Sequence, residues 1–141
     1  MSGFASISPE RVEGRRRARS GNELERRYGY CRAVADGDRI VVSGTAPVWP
    51  DGSCDPDPAA QARRCCEIIV AALEQLGADA GDVVRTRMFV TDAAIAEAVG
   101  LVHREFFGAA EPAATMVVVP ELLDPRWRVE IEAEALRRND C

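Results

Sequence analysis

Apolar positions along this chain switch between a period of two and a period near 3.6, and the switches divide it into elements. GYCRAVADGDRIVVSGT (29–45) holds two β-rich runs around Asp36-Gly37, a hairpin signal. The polar, Pro-rich loop APVWPDGSCDPDP follows, and Asp57 then stands where it can cap a helix opening on Pro58. Ala62, Cys65, Cys66, Ile69, Ala72, Leu73 and Leu76 form one apolar helical face, which Gly77 ends. DVVRTRMFV (82–90) reads as a strand. Thr91-Asp92 leads a second helix that turns Ile95, Val99, Val102 and Phe106 inward and stops at Gly108. TMVVV (115–119) and VEIEAEAL (129–136) are two further strands. The predicted order is ββαβαββ, an α+β layer with one sheet and two helices on one face.

That arrangement leaves the second sheet face uncovered. It carries Arg85 and Arg87 from one strand and Glu130, Glu132 and Glu134 from another, since alternate residues of a strand share a face. Three like charges in a row repel, so each needs a cationic neighbour, water or a ligand site. An uncovered face on a small domain also invites burial against copies of the same chain.

Residues 1–27 break the pattern. They hold Gly3, Pro9, Gly14, Gly21 and the run RRRAR (Arg15–Arg19) with no regular apolar period, and read as an N-terminal arm whose charges face solvent. Residues 28–138 form the single folded domain, and 139–141 a C-terminal tail. A chain of 141 residues, 47% hydrophobic, is enough for one domain with its own core.

Composition removes several kinds of chemistry. All 18 basic residues are arginine, so neither a Schiff-base lysine nor a P-loop lysine exists. His103 is the single histidine, and on its helix it reads as a packing or surface residue. The five cysteines fit no metal spacing; the adjacent pair Cys65 and Cys66 reads as small core residues of a reduced protein. No metal or organic cofactor is implied. A net charge of −5 argues against a nucleic-acid partner. No apolar run reaches the roughly 20 residues of a membrane span, and no secretory signal opens the chain, so the expected compartment is the cytoplasm.

GYCRAV, VVSGTAP, DVVRTRMFVTD, the FFG after the second helix, PAATMVVV and VEIEAEAL together resemble the Rid family, also called YjgF/YER057c/UK114, in order and spacing over about Tyr28 to Arg138. The resemblance implies a chorismate-mutase-like fold, a homotrimer, and clefts between subunits that take a small carbonyl, imine or carboxylate ligand. It implies imine/enamine deamination, and some relatives carry an endoribonuclease label. The family's cleft tyrosine falls on Tyr30, its cleft serine on Ser43 and its C-terminal glutamate on Glu130. Where active deaminases have an arginine, this chain has Ala114; where some members have asparagine, it has Ala94. An arginine fork holds a carboxylate through two charge-assisted hydrogen bonds and alanine offers none. The chain is a divergent member.

The candidate catalytic residue is therefore Glu130, as a general base or water-positioning carboxylate, against an alternative as an ion-paired sheet residue facing Arg85 or Arg87. Glu132 and Glu134 read as partners of arginines. Arg32, two residues from Tyr30, is a candidate anion holder, against an alternative as a surface arginine paired with Glu23 or Glu25. Tyr30, Arg32, Ser43, Thr115 and Trp127 form the candidate ligand-binding set; Trp127 and Trp49 both lie in loops, where they wall a pocket or pack at an interface. Two functions stay open, an imine/enamine deaminase or related hydrolase with an altered anchor, and a non-catalytic or regulatory small-ligand binder.

Overall fold

The structure, a computed structural model, describes residues 14–138. Residues 1–13 of the expected arm and the tail 139–141 lie outside them. One six-stranded sheet runs β1-β2-β3-β6-β4-β5, where β1 is Arg15–Ala18, β2 Ala33–Asp36, β3 Arg39–Thr45, β4 Val83–Val90, β5 Ala113–Val118 and β6 Val129–Leu136. The helices are α1 (Glu23–Tyr28), α2 (Pro58–Gln75) and α3 (Ala96–Phe107).

Local chemistry sets the boundaries. Asp36 and Arg39 pair across a two-residue hairpin loop, with Gly37 at φ 60° supplying the left-handed turn. The Asp57 carboxylate accepts from the Ala60 N–H at 2.9 Å, and Pro58 spends no donor at the first helical position. Gly77, at φ 84°, lets the chain leave α2. Asp92 caps a short 3-10 turn, Ala93–Ile95, that runs into α3.

The last strand in the chain occupies the middle of the sheet. β6 pairs antiparallel with β3 on one side and β4 on the other, and β4 pairs parallel with the edge strand β5. Val129, Ile131, Ala133 and Ala135 are thereby buried beneath the helices, along with Ile40, Val42, Met88 and Val90. Cys65, Cys66, Ile69 and Leu73 of α2 and Val99, Val102 and Phe107 of α3 close the same core. Phe107 is the inward phenylalanine at the end of α3, fully buried, with Phe106 packed at the margin.

One expectation is corrected. The RRRAR run, read as part of a solvated arm, supplies β1, paired antiparallel with β2, and α1 follows it, so the ββαβαββ order is preceded by a strand and a short helix. The arginines do not oppose this. Ala18 is buried, Arg15 meets Asp36 at 3.0 Å, and the Arg16 guanidinium donates to the Leu76 carbonyl at the end of α2. Arginines on an edge strand also discourage pairing with another sheet.

Candidate functional site

The register separates the three glutamates. Glu134 stands opposite Arg85 and Glu132 opposite Arg87, but Glu130 stands opposite Phe89. Glu132 meets Arg87 at 3.4 Å and Glu134 meets Arg39 at 3.2 Å. Exposed pairs of this kind each contribute about 0–1 kcal/mol, enough to offset the repulsion along the strand and little more. Glu130 has no such partner across β4. Its carboxylate is half-buried, which pushes its pKa up from the ordinary carboxylate range; the nearby Arg32 charge opposes that rise and Glu132 adds to it.

Glu130 reaches instead toward β3. The ladder between β3 and β6 shifts register between Val42 and Thr45, and Ser43 and Gly44 occupy the irregularity. A Cβ at Gly44 would lie 2.5 Å from Glu130 Oε2, so the missing side chain is what makes room for the carboxylate. The Gly44 carbonyl also accepts from a terminal nitrogen of Arg32. Gly44 thus brings an acid and a base together, one through its backbone and the other through the space it leaves.

Arg32 is held as though the ladder continued. Its N–H donates to the Ala18 carbonyl and its own carbonyl accepts from Ser43 N–H, both at 2.9 Å. The alternative pairing with an N-terminal glutamate is not what the structure shows. Glu25, only 4% exposed, accepts from the backbone N–H and hydroxyl of Ser20, and its carbonyl accepts from the N–H groups of Gly29 and Tyr30. Arg32 Nε is buried without an acceptor.

The remaining candidates are spread more widely. Ser43 donates its hydroxyl to the Cys31 carbonyl at 2.7 Å, which fixes the turn but uses its proton. Tyr30 is 38% exposed, directly after the left-handed Gly29 that ends α1. Thr115 is exposed on β5 beside Arg87, on the uncovered face but on the far side of β4 from Glu130. Trp127 is half-buried, and its indole N–H is buried without an acceptor. Trp49 lies under Arg64, whose guanidinium carbon is 3.9 Å from the ring centroid, a contact against α2. His103 Nε2 bonds the buried Thr86 hydroxyl at 2.7 Å on the helix-covered side, and burial lowers its pKa, so it packs as a neutral ring. A shallow depression of about 40 Å³ on the uncovered face, lined by Val41, Arg85, Arg87, Glu132 and Glu134 among others, has room for water and not for an organic ligand.

Gln61 went unnoticed in the sequence. Fully buried at the start of α2, it donates to the carbonyls of Asp55 and Arg126 at 2.8 and 2.9 Å and accepts from Arg128 N–H at 2.7 Å. It ties the Pro-rich loop to the segment entering β6, and so positions Trp127 and the start of the Glu130 strand. A polar residue one place ahead of an apolar helical stripe is the only trace it leaves in the sequence.

The profile of the family described as Endoribonuclease L-PSP matches residues 20–137. The chain belongs to this family, the Rid or YjgF/YER057c/UK114 family of the sequence resemblance. A solved member from Mycobacterium tuberculosis shares 43% identity at a TM-score of 0.80, covering 86% of this chain and 98% of that one. A 2-iminobutanoate/2-iminopropanoate deaminase from Escherichia coli is 38% identical over 114 residues, 77% of this chain and 88% of the relative. The Escherichia coli protein TdcF, solved with bound serine, has 31% identity and a TM-score of 0.73, covering 77% of this chain and 88% of that one. The α+β sheet-and-helix fold is that of the family. Among the described residues, no helix is long and apolar enough to cross a membrane.

Proposed function

We propose that this protein is a hydrolase of the imine/enamine deaminase type, acting through Glu130 in clefts between the subunits of a homotrimer. The carrying observation is Glu130 itself, a half-buried glutamate without an ion-pair partner, its pKa raised by burial, set over Gly44 beside Arg32. A carboxylate raised toward neutrality is a better proton acceptor in water while still ionised at the working pH. Glu130 takes a proton from water as the oxygen adds to the imine carbon. The proton passes to the nitrogen, the carbinolamine collapses to a carbonyl, and ammonia leaves. The uncovered face supports the assembly: it presents Val34, Val41, Phe89 and Val117 among its charges, and on a single chain nothing closes a cleft over Glu130. The deaminase relatives make a 2-imino acid the first substrate to try.

A second reading, a non-catalytic or regulatory binder of small ligands, is favoured by Ala114, which sits exposed on β5 where the resemblance expects the carboxylate-holding arginine. Hydrolysis of freshly generated 2-iminopropanoate separates the two. The natural chain is expected to release ammonia faster than buffer, and Ala114→Arg to raise the rate several-fold. Activity in the variant alone would mean that the scaffold is competent and the natural substrate is a different imine. No activity in either would leave the binder.

A further inference from the structure

Arg15, Arg39, Arg63, Arg87 and Arg126 each sit within 4 Å of a carboxylate. Arg32 is not among the ion-paired arginines, although it is half-buried and its charge acts on Glu130. Its main chain is pinned between β1 and β3, and Nη2 is fixed on the Gly44 carbonyl. Nε has no acceptor, and no hydrogen bond within the described residues engages Nη1. A guanidinium brought out of bulk water, oriented by one neutral carbonyl and left without a counter-anion is an incomplete arrangement, and the fork that remains matches a carboxylate.

We propose that Arg32 is the carboxylate anchor of this site, and that the ligands are small 2-imino or 2-oxo acids whose carboxylate is held from β2. This rests on the reading of the Glu130 face as the ligand site. The acid group lies on the Arg32 fork, and the adjacent carbon, which bears the imine or carbonyl, is turned to Glu130. Bringing a second anion beside Glu130 pushes its pKa further up, so binding takes up a proton and tightens as pH falls through the raised Glu130 value. Arginine at this position supplies from β2 what Ala114 on β5 cannot.

The test compares pyruvate, which carries the carboxylate, with pyruvamide, the same skeleton without the charge. Each is titrated calorimetrically into the full natural chain, Arg32→Gln and Arg32→Lys, with thermal melts to establish folding. The natural chain is expected to bind pyruvate at least about tenfold more tightly than pyruvamide, the discrimination of one bidentate pair. Arg32→Gln should erase the preference, and Arg32→Lys, which keeps charge but loses the fork, should retain only part. Should Arg32→Gln fail to fold, a preference in Arg32→Lys equal to that of the natural chain would overturn the anchor. A folded Arg32→Gln that still prefers pyruvate fully also overturns it, while leaving the Glu130 site in place. If pyruvate neither binds the natural chain nor shifts the Glu130 carboxyl resonance, the ligand site and its anchor fall together.

Discussion

Glu130→Gln is expected to lower the rate of ammonia release from 2-iminopropanoate by about 10²–10⁴-fold, the usual contribution of a positioned general base. Glutamine keeps the shape and the carbonyl oxygen over Gly44 but cannot accept the proton from water. The change leaves the core untouched, because Glu130 projects from the face opposite Val129 and Ile131. Its pH signature is also specific. The base works only when ionised, so the natural rate rises as pH passes through a value above the ordinary carboxylate range, and that limb disappears in the variant. Stability moves the other way. Folding raises this pKa, so the protonated form is the one favoured by the fold. Glu130's contribution is fully present below the unfolded carboxylate pKa and is lost as pH rises through the folded value. At neutral pH the glutamine variant should therefore melt no lower than the natural chain. Initial rates across pH, with melting curves on the same samples, check both halves.

Gly44→Ala is expected to reduce the same activity by about 10²-fold, the effect of misplacing a reacting group by an ångström. The added Cβ would lie 2.5 Å from Glu130 Oε2, and the carboxylate, at the end of a flexible side chain, is what has to move. Gly44 does not have a left-handed backbone, so alanine fits the main chain, and its smaller unfolded-state entropy offsets part of any local cost. The melting temperature should change by only a few degrees while the rate collapses. Near-normal activity in Gly44→Ala would mean that the position of the Glu130 carboxylate over Gly44 has no bearing on catalysis. A collapse in both stability and rate would mean that Gly44 serves the fold instead.

Much of the architecture is legible in the chain because its elements advertise themselves. β6 is a period-two run from Val129 to Leu136, and α2 opens on Asp57-Pro58 and closes at Gly77, as read from sequence. β1 was missed because RRRA has no apolar alternation; it is a strand because β2 offers it a ladder and Asp36 and the end of α2 receive its arginines. The site is harder to read. Period alone puts Glu130, Glu132 and Glu134 on one face, and which of them meets an arginine depends on the β4–β6 register, a tertiary property. The shift that lets Arg32 and Glu130 converge on Gly44 is of the same kind: Ser43-Gly44 reads as ordinary turn chemistry until β6 is laid beside it. Gln61 is invisible for a related reason, since its partners come from two loops distant in sequence.

The central claim is that Glu130 is a half-buried carboxylate whose proton affinity is raised by burial and restrained by Arg32. It is tested most directly by following the side-chain carboxyl carbon of Glu130 by NMR through a pH titration, in the natural chain and in Arg32→Gln. The account predicts a midpoint above the ordinary glutamate range in the natural chain, and a further upward shift when the arginine charge is removed. A midpoint at or below the ordinary range, or one indifferent to Arg32→Gln, would contradict it.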